Sequence, residues 1–470
     1  MAGIISAAAH IPYLKMERKV IGGAWERGSL PGCRSVAGSD EDSLTMAAEA
    51  ATACLGQTDR GSLDGVFFAS TTAPYREKQS ASLLATVLDL RVEVQTVDFG
   101  NSLRSGLSAL RLALDSVAGG AAGSLLVTSG EQRLGFPRSD QEQLFGDAGA
   151  AVLVGGDQAS VAYLGGFRVS DEITDVWRME QDRYVRTWEG RFVSGEGYLA
   201  VMTKAVKGLL AKLGLKPGDI AKAVIPAPEA RALQDLLKKT GLTGEGQAAQ
   251  PLLDQVGFCG AAQPLLMLAA ALEQAQPGQK ILLAAYGDGA EALLFEVRGA
   301  VAKPASDLAG QLANRRALNS YARFLSFRDT VEPLPGEPFR LVPSATVTWR
   351  ERDSLLRCQG SKCRVCGTVA YPIQRVCDHC RSIDQFDTVR LSGLSGEVFT
   401  FSRDNLAGRS DDPVVVQTVV QMENGARFYG LMTDCDPSQV DLGLPVRLTL
   451  RRFHDLGGFH NYFWKCRPVR

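Results

Sequence analysis

Two cysteine pairs carry the most specific chemistry in the sequence: Lys362-Cys363-Arg-Val-Cys366-Gly367 and Val376-Cys377-Asp-His-Cys380, separated by ten residues. Each Cys-x-x-Cys turn presents two thiolates to one side, and two such turns supply the four soft ligands of a tetrahedral Zn²⁺ site. A closed set of four leaves no position for water or substrate, so this metal is expected to stabilise folding rather than to catalyse. His379, between two ligands, is expected to stay exposed. A thioredoxin-like redox pair is the weaker reading, because that motif occurs singly in a βαβ setting. Cys358, Cys435 and Cys466 have no knuckle partner, and Cys33, Cys54 and Cys259 are scattered through apolar sequence. One tight cluster plus scattered thiols fits a reducing compartment.

The elements that must position such groups can be read from the apolar pattern. At 470 residues the chain is too long for one ordinary core. Up to about residue 300, short apolar runs alternate with amphipathic stretches, the pattern of an α/β fold with a buried sheet. Val66–Ser70, Ser124–Thr128, Ala150–Val154, Ala223–Ile225 and Ile281–Ala285 are predicted strands; Ser43–Leu55, Gly106–Val117, Leu199–Leu213 and Pro264–Gln274 are predicted helices. Phe145-Gly-Asp-Ala-Gly-Ala-Ala-Val-Leu-Val is echoed by Tyr286-Gly-Asp-Gly-Ala-Glu-Ala-Leu-Leu-Phe, which suggests a duplicated unit. A polar helical stretch over Asp307–Phe327 and a linker containing Pro333, Pro335, Pro338 and Pro343 follow. Beyond the cysteines, Thr388–Ser402, Pro413–Met422, Ala426–Met432 and Val446–Arg451 read as strands of a small all-β barrel.

Charge and hydropathy narrow the function. Lys plus Arg number 51 against 52 Asp plus Glu, so no large field advertises a nucleic acid or a membrane. The barrel region has only a slight basic excess, which argues against an oligonucleotide groove. No run of about 18 apolar residues occurs, and the opening Met1-Ala-Gly-Ile-Ile-Ser lacks the pattern of an export signal. A cytoplasmic protein is expected.

Gln359-Gly-Ser-Lys-Cys-Arg-Val-Cys-Gly, Tyr371-Pro-Ile-Gln-Arg-Val-Cys, Ser392-Gly-Leu-Ser-Gly-Glu-Val-Phe-Thr-Phe-Ser and Leu442-Gly-Leu-Pro-Val resemble the zinc-ribbon/OB-fold family that accompanies thiolases in acyl-CoA metabolism. That resemblance implies a rubredoxin-like zinc ribbon and an all-β OB-fold that dock on a thiolase-fold partner. Gly3-Ile-Ile-Ser-Ala-Ala-Ala-His-Ile-Pro, Asp40-Glu-Asp-Ser-Leu-Thr-Met-Ala-Ala-Glu-Ala, Gly190-Arg-Phe-Val-Ser-Gly-Glu-Gly-Tyr, Gly208–Asp219 and Gly278-Gln-Lys-Ile-Leu-Leu-Ala-Ala-Tyr-Gly-Asp-Gly-Ala resemble 3-hydroxy-3-methylglutaryl-CoA synthases. They imply a thiolase-like, five-layered α/β fold of two similar halves, usually dimeric. The expected domains are residues 1–155 and 156–300 for the two halves, 301–345 for helix and linker, 346–385 for the ribbon and 386–470 for the OB-fold.

The resemblance also exposes what is missing. The family uses a cysteine to take the acetyl group, a glutamate to form the carbanion and a histidine to activate the acceptor. In Asp98-Phe-Gly-Asn-Ser-Leu103-Arg-Ser-Gly the cysteine position holds Leu103. The glutamate position holds Thr71, the histidine position Pro226, and a later asparagine aligns with Phe258. Before the cysteine cluster His10 is the only histidine, more readily a structural side chain than a displaced catalyst. Ordinary hydroxymethylglutaryl-CoA synthase chemistry is therefore not expected.

Two functions remain. One is an acyl-CoA enzyme that makes or cleaves a C–C bond of a 3-hydroxyacyl-CoA by an aldol or retro-aldol step, as a lyase or transferase, without a cysteine acyl-enzyme. Tyr286 is the preferred acid/base, Cys259 and Ser102 are the neighbouring candidates, and Arg231 aligns with a family lysine near CoA. Cys259 is more readily a small buried hydrophobe. The other is a non-catalytic subunit that scaffolds an active thiolase. Expected partners are acyl-CoA, a second copy of the chain and a second thiolase-family subunit, with no nucleic acid and no membrane.

Overall fold

The computed structural model describes residues 2–302, 304, 307–331, 344–409 and 412–469; the linker prolines Pro333, Pro335, Pro338 and Pro343 lie outside them. The chain divides into two compact units. The first comprises Met1–Ala37, Asp42–Ala85 and Leu90–Tyr321; the second comprises Gly38–Glu41, Thr86–Asp89 and Ala322–Arg470.

In the first unit nine strands are hydrogen-bonded: β1 (Gly3–His10), β2 (Gly65–Ala69), β3 (Gln95–Phe99), β4 (Ser124–Gln132), β5 (Asp147–Gly155), β6 (Val161–Ser170), β7 (Lys222–Val224), β8 (Lys280–Tyr286) and β9 (Gly289–Val297). Their spatial order is β7-β8-β9-β6-β1-β5-β4-β2-β3. β1 and β6 pair only at Gly3–Ala162 and Ile4–Val161, so the order resolves into two sheets meeting along a short seam. β2 runs parallel to β3 and β4, and β7 runs parallel to β8. In each sheet the next strand turns back antiparallel, β5 on β4 and β9 on β8. Those returning strands carry the two copies of the Gly-Asp echo, so the internal similarity marks topologically equivalent hairpins.

Helices α1 (Ser43–Leu55), α2 (Ser105–Ala118), α3 (Ala200–Leu213), α4 (Ala230–Thr240) and α5 (Gln263–Leu272) complete the unit. α1 starts at a reciprocal cap, in which the Thr45 amide donates to Asp42 Oδ1 and the Asp42 amide donates to Thr45 Oγ1, both at 2.8 Å. It packs on β1, β4 and β5. α2 and α5 share one core with both sheets, joining Leu107, Leu110, Leu265 and Leu268 to Val127, Val152, Leu283 and Phe295. The period-2 alternation of strand side chains then places Leu282, Ala284, Ala292 and Leu294 on the opposite face, against α3 and α4. The layers run helix, sheet, helices, sheet, helices. Gly106 permits the tight central layer, since a Cβ there would stand 2.4 Å from the Ala261 carbonyl oxygen.

In the second unit, Gln359–Cys363 is flanked by Val369–Ala370 and Phe386–Arg390 in a three-stranded sheet. Strands β10 (Ser395–Asp404), β11 (Val415–Met422), β12 (Arg427–Met432), β13 (Pro445–Leu456) and β14 (Phe459–Pro468) form a closed barrel in the order β10-β11-β12-β14-β13. Along β11, Val416, Thr418, Val420 and Met422 point inward in strict alternation.

Two sequence expectations are corrected. Asp307–Phe327 is not one helix but two short ones, Leu308–Ala313 and Tyr321–Phe327, with Arg316–Ala317 pairing to Leu14–Lys15 between them. Thr388–Ser402 is not one strand: its start belongs to the three-stranded sheet, its end to the barrel, and Gly393 at φ +93° makes the break. Among the described residues no helix is long and apolar enough to cross a membrane.

Candidate active site and metal centre

The C-terminal ends of β2, β3 and β4 lie side by side because those three strands are parallel, and the turn after β8 joins them. Chain ends gathered in this way are where open α/β sheets hold ligands. A cavity of about 320 Å³ lies there, lined by residues that include Thr71, Asn101, Ser102, Leu103, Arg133, Asp175, Gly287 and Asp288. Asn101 and Asp288 hold left-handed backbone, φ +62° and +48°, which costs non-glycine residues about 1 kcal/mol. A second, largely apolar groove of about 510 Å³ shares Trp177 and Val185 with it and adds Phe136 and Trp188.

Three of the four residues that the sequence reading aligns with the family's functional positions border this region. Thr71 and Leu103 line the cavity. Leu103 also packs against a small cluster of Phe145, Val185 and Phe258, so the cysteine and asparagine positions have become part of one apolar wall. Pro226 is buried elsewhere, its carbonyl accepting a 3.1 Å hydrogen bond from the Tyr198 hydroxyl.

Beside Thr71, read as the glutamate position, stands a carboxylate that sequence reading misses. Thr71 donates to Glu131 from its amide and, at 2.8 Å, from Oγ1, while Ser70 Oγ donates to the same carboxylate at 3.0 Å. Glu131 comes from β4, one strand over, and is fully buried. Burial pushes its carboxyl above the ordinary range, against the pull of Arg133 and the Thr71 and Ser70 hydrogen bonds.

Tyr286 ends β8, directly before the cavity-lining Gly287 and Asp288, and Asp175 is the charged neighbour of its hydroxyl. Burial first, then the charge of Asp175, pushes the phenol far above its usual value. Asp175 is itself raised by burial, which outweighs the opposing pull of Tyr286 and Arg133, although the Tyr286 hydroxyl meets no hydrogen-bond partner among the described residues. Tyr198 meets the Tyr286 ring edge-on at 5.7 Å.

Ser102 lines the cavity, where its Oγ donates to the Gly287 carbonyl at 3.1 Å. Cys259 does not reach the cavity: it is fully buried in the central core, and burial pushes its thiol well up. Arg231 is exposed in the first turn of α4 and lines neither cavity. His10 is buried at the end of β1. Glu131, Arg133 and Asp175 went unread in the sequence; the one signal available was a Glu near the end of the mostly small and apolar strand Ser124–Gln132, with an Arg directly after it.

In the second unit Cys363, Cys366, Cys377 and Cys380 bring all four Sγ atoms within 4.8 Å of one another. Cys363–Cys380 and Cys366–Cys377 stand 3.6 Å apart, pairing across the two turns. Thiolates about 2.3 Å from a tetrahedrally bound ion would be about 3.8 Å apart, so the donor set fits a metal. The turns are local: Gly367 N donates to the Cys363 carbonyl at 2.9 Å and Arg381 N to that of Cys377 at 3.0 Å. His379 is exposed and stands outside the cluster.

These features define a thiolase-like, two-sheet α/β protein, and comparison with known proteins agrees. Residues 210–296 match the model of the 3-oxoacyl-[acyl-carrier-protein] synthase III C-terminal family. The chain is 29% identical over 300 residues to the hydroxymethylglutaryl-CoA synthase of Pyrococcus furiosus, covering 63% of this chain and 85% of that one. It is 30% identical over 299 residues to that of Aeropyrum pernix, covering 62% and 82%. A crystal structure of HMG-CoA synthase complexed with CoA superimposes with a TM-score of 0.63 at 18% identity, over 73% of this chain and 95% of that one. The chain belongs to the hydroxymethylglutaryl-CoA synthase family.

Proposed function

We propose that this protein acts on 3-hydroxyacyl-CoA thioesters, cleaving or forming the C2–C3 bond by an aldol-type step with no acyl-enzyme. The observation that carries the reading is the cavity itself: Leu103, read from the sequence as the nucleophile position, lines it together with Asp175, and Tyr286 ends the strand directly before the cavity-lining Gly287 and Asp288. In the cleavage direction Tyr286 takes the proton of the 3-hydroxyl as its own moves to Asp175. The C2–C3 electron pair passes into the thioester as an enolate, and C3 leaves as an aldehyde or ketone. Protonation of C2 then completes a shortened acyl-CoA, and reversal of these steps gives condensation. No thiolate is needed at any point.

The apolar groove beside Trp177 and Trp188 suits a branched or aromatic acyl chain. Ser102 orients the Gly287 turn, and the exposed Arg231 is assigned to the CoA phosphates. Zn²⁺ held by Cys363, Cys366, Cys377 and Cys380 would fix the fold of a ribbon leading into an OB-type barrel. Homodimerisation through the thiolase-like region and association with a second thiolase-family subunit belong to the same proposal, in a cytoplasmic setting.

The test is incubation of zinc-loaded protein with branched and aromatic 3-hydroxyacyl-CoAs, with CoA products resolved by liquid chromatography. A shorter acyl-CoA plus a carbonyl product, lost in Tyr286→Phe, supports the reading. No turnover, together with co-purification of an active thiolase, favours the scaffold role.

A further inference from the structure

Arg133 follows β4 directly and lines the cavity, although only 3% of its surface is exposed. Its guanidinium carbon lies 4.3 Å from the Phe145 ring centroid and 6.0 Å from that of Phe258. Stacking on an aromatic occupies the face of a guanidinium and leaves its in-plane N–H donors free. Among the described residues those donors meet no hydrogen-bond acceptor and no carboxylate within ion-pair distance. Glu131 is engaged by Ser70 and Thr71, and both it and Asp175 act on Arg133 only through space.

A buried, unpartnered cation is costly, and the surroundings are built to hold it. Gly260, at φ +49°, makes room: a Cβ there would stand 2.5 Å from Glu131 Oε2 and 2.8 Å from Arg133 Cδ. The other arginine on the cavity wall, Arg178, is exposed and donates to the Thr71 carbonyl. The family's histidine and asparagine positions hold Pro226 and Phe258, which offer no side-chain donor.

We infer that Arg133 is the group that binds an anionic oxygen of the acyl portion of the ligand, through the free edge of its guanidinium. The inference deepens the aldol reading and rests on it only for the cavity being the thioester site. Two oxygens have the required chemistry: the enolate oxygen of the thioester and a carboxylate carried farther along the acyl chain. The planar fork suits either one.

The experiment uses the full-length, zinc-loaded protein and two probes. Acetoacetyl-CoA reports enolate binding through the near-ultraviolet absorbance of its enolate, followed against pH. Succinyl-CoA against butyryl-CoA reports carboxylate binding through tryptophan fluorescence, with Trp177 on the cavity wall. If the enolate is the ligand, the native protein enolises bound acetoacetyl-CoA about one to two pH units below the free thioester, a factor of about 10 to 100, and Arg133→Gln abolishes the shift. If the carboxylate is the ligand, succinyl-CoA binds at least about tenfold tighter than butyryl-CoA and Arg133→Gln removes that preference. Should the Gln variant fail to fold, Arg133→Lys carries the test, with a reduced shift or preference expected. Neither effect in the native protein, or both unchanged in the folded variants, overturns the assignment. A native protein that shows either effect yet turns over no 3-hydroxyacyl-CoA keeps Arg133 and removes the aldol reading.

Discussion

The cysteine cluster and the cavity are opposite cases of how chemistry is written into a chain. The cluster draws its four donors from 18 consecutive residues, two tight turns whose geometry is settled by local backbone hydrogen bonds. The cavity draws its groups from the ends of β2, β3, β4 and β8 and from the segment after β6. One donor set is complete in sequence. The other exists only after the sheets have formed, as when Thr71 at the end of one strand meets the Glu131 carboxylate of its neighbour. A residue type read at one position therefore does not settle which groups stand beside it in space.

The comparison can be broken most forcefully at the metal. If the cluster holds the proposed zinc, Cys363→Ser or Cys377→Ser should abolish metal binding and unfold the segment around the two turns, because structural zinc binding is worth on the order of 10 kcal/mol of apparent folding free energy. Elemental analysis and thermal melting check this, and a variant that keeps both metal and melting transition contradicts a closed four-cysteine site. At the cavity, Tyr286→Phe should lower turnover about 10²–10⁴-fold, the usual contribution of a positioned acid/base, while the melting transition stays near that of the native protein. Glu131→Ala strips the hydrogen-bond partner from Ser70 and Thr71 and removes the charge near the buried Arg133, and should cost about 3 kcal/mol in urea unfolding. A value within experimental error of zero would mean that the buried carboxylate is incidental.

Two smaller effects sharpen the contrast. Protonating Asp175 removes the acceptor behind Tyr286, so activity should fall as pH drops through the Asp175 pKa. Since burial raises that pKa, the acid limb should lie above the ordinary carboxylate range. With Tyr286 pushed far up, no alkaline limb should appear where an ordinary tyrosine titrates. A kcat/KM profile checks both limbs. Leu103→Cys should leave hydroxymethylglutaryl-CoA synthase activity at background, because Pro226 and Phe258 supply no partner for the thiol; appearance of that activity would show that only the nucleophile had been lost.

Much of the architecture is legible in the residues. The runs Ser43–Leu55, Ser124–Thr128 and Ile281–Ala285 announce themselves because buried helices and strands impose their own apolar periods. The Gly-Asp echo reports the duplicated hairpins for the same reason. The 388–402 run misleads because strand propensity says nothing about which sheet a strand joins. Cys259 reads as a candidate through its neighbourhood in sequence, yet it points into the core, since adjacent residues in a turn can face opposite sides. Arg133 and Asp175 stay illegible because an isolated charged residue in sequence looks like solvated surface until burial is known.

The most direct test of the central claim is intact-mass measurement of the protein during turnover of a 3-hydroxyacyl-CoA, with CoA products followed in the same samples. The account predicts steady release of a shortened acyl-CoA and a carbonyl compound while the protein mass stays that of the unmodified chain. An acyl adduct accumulating on the protein as product forms would contradict it.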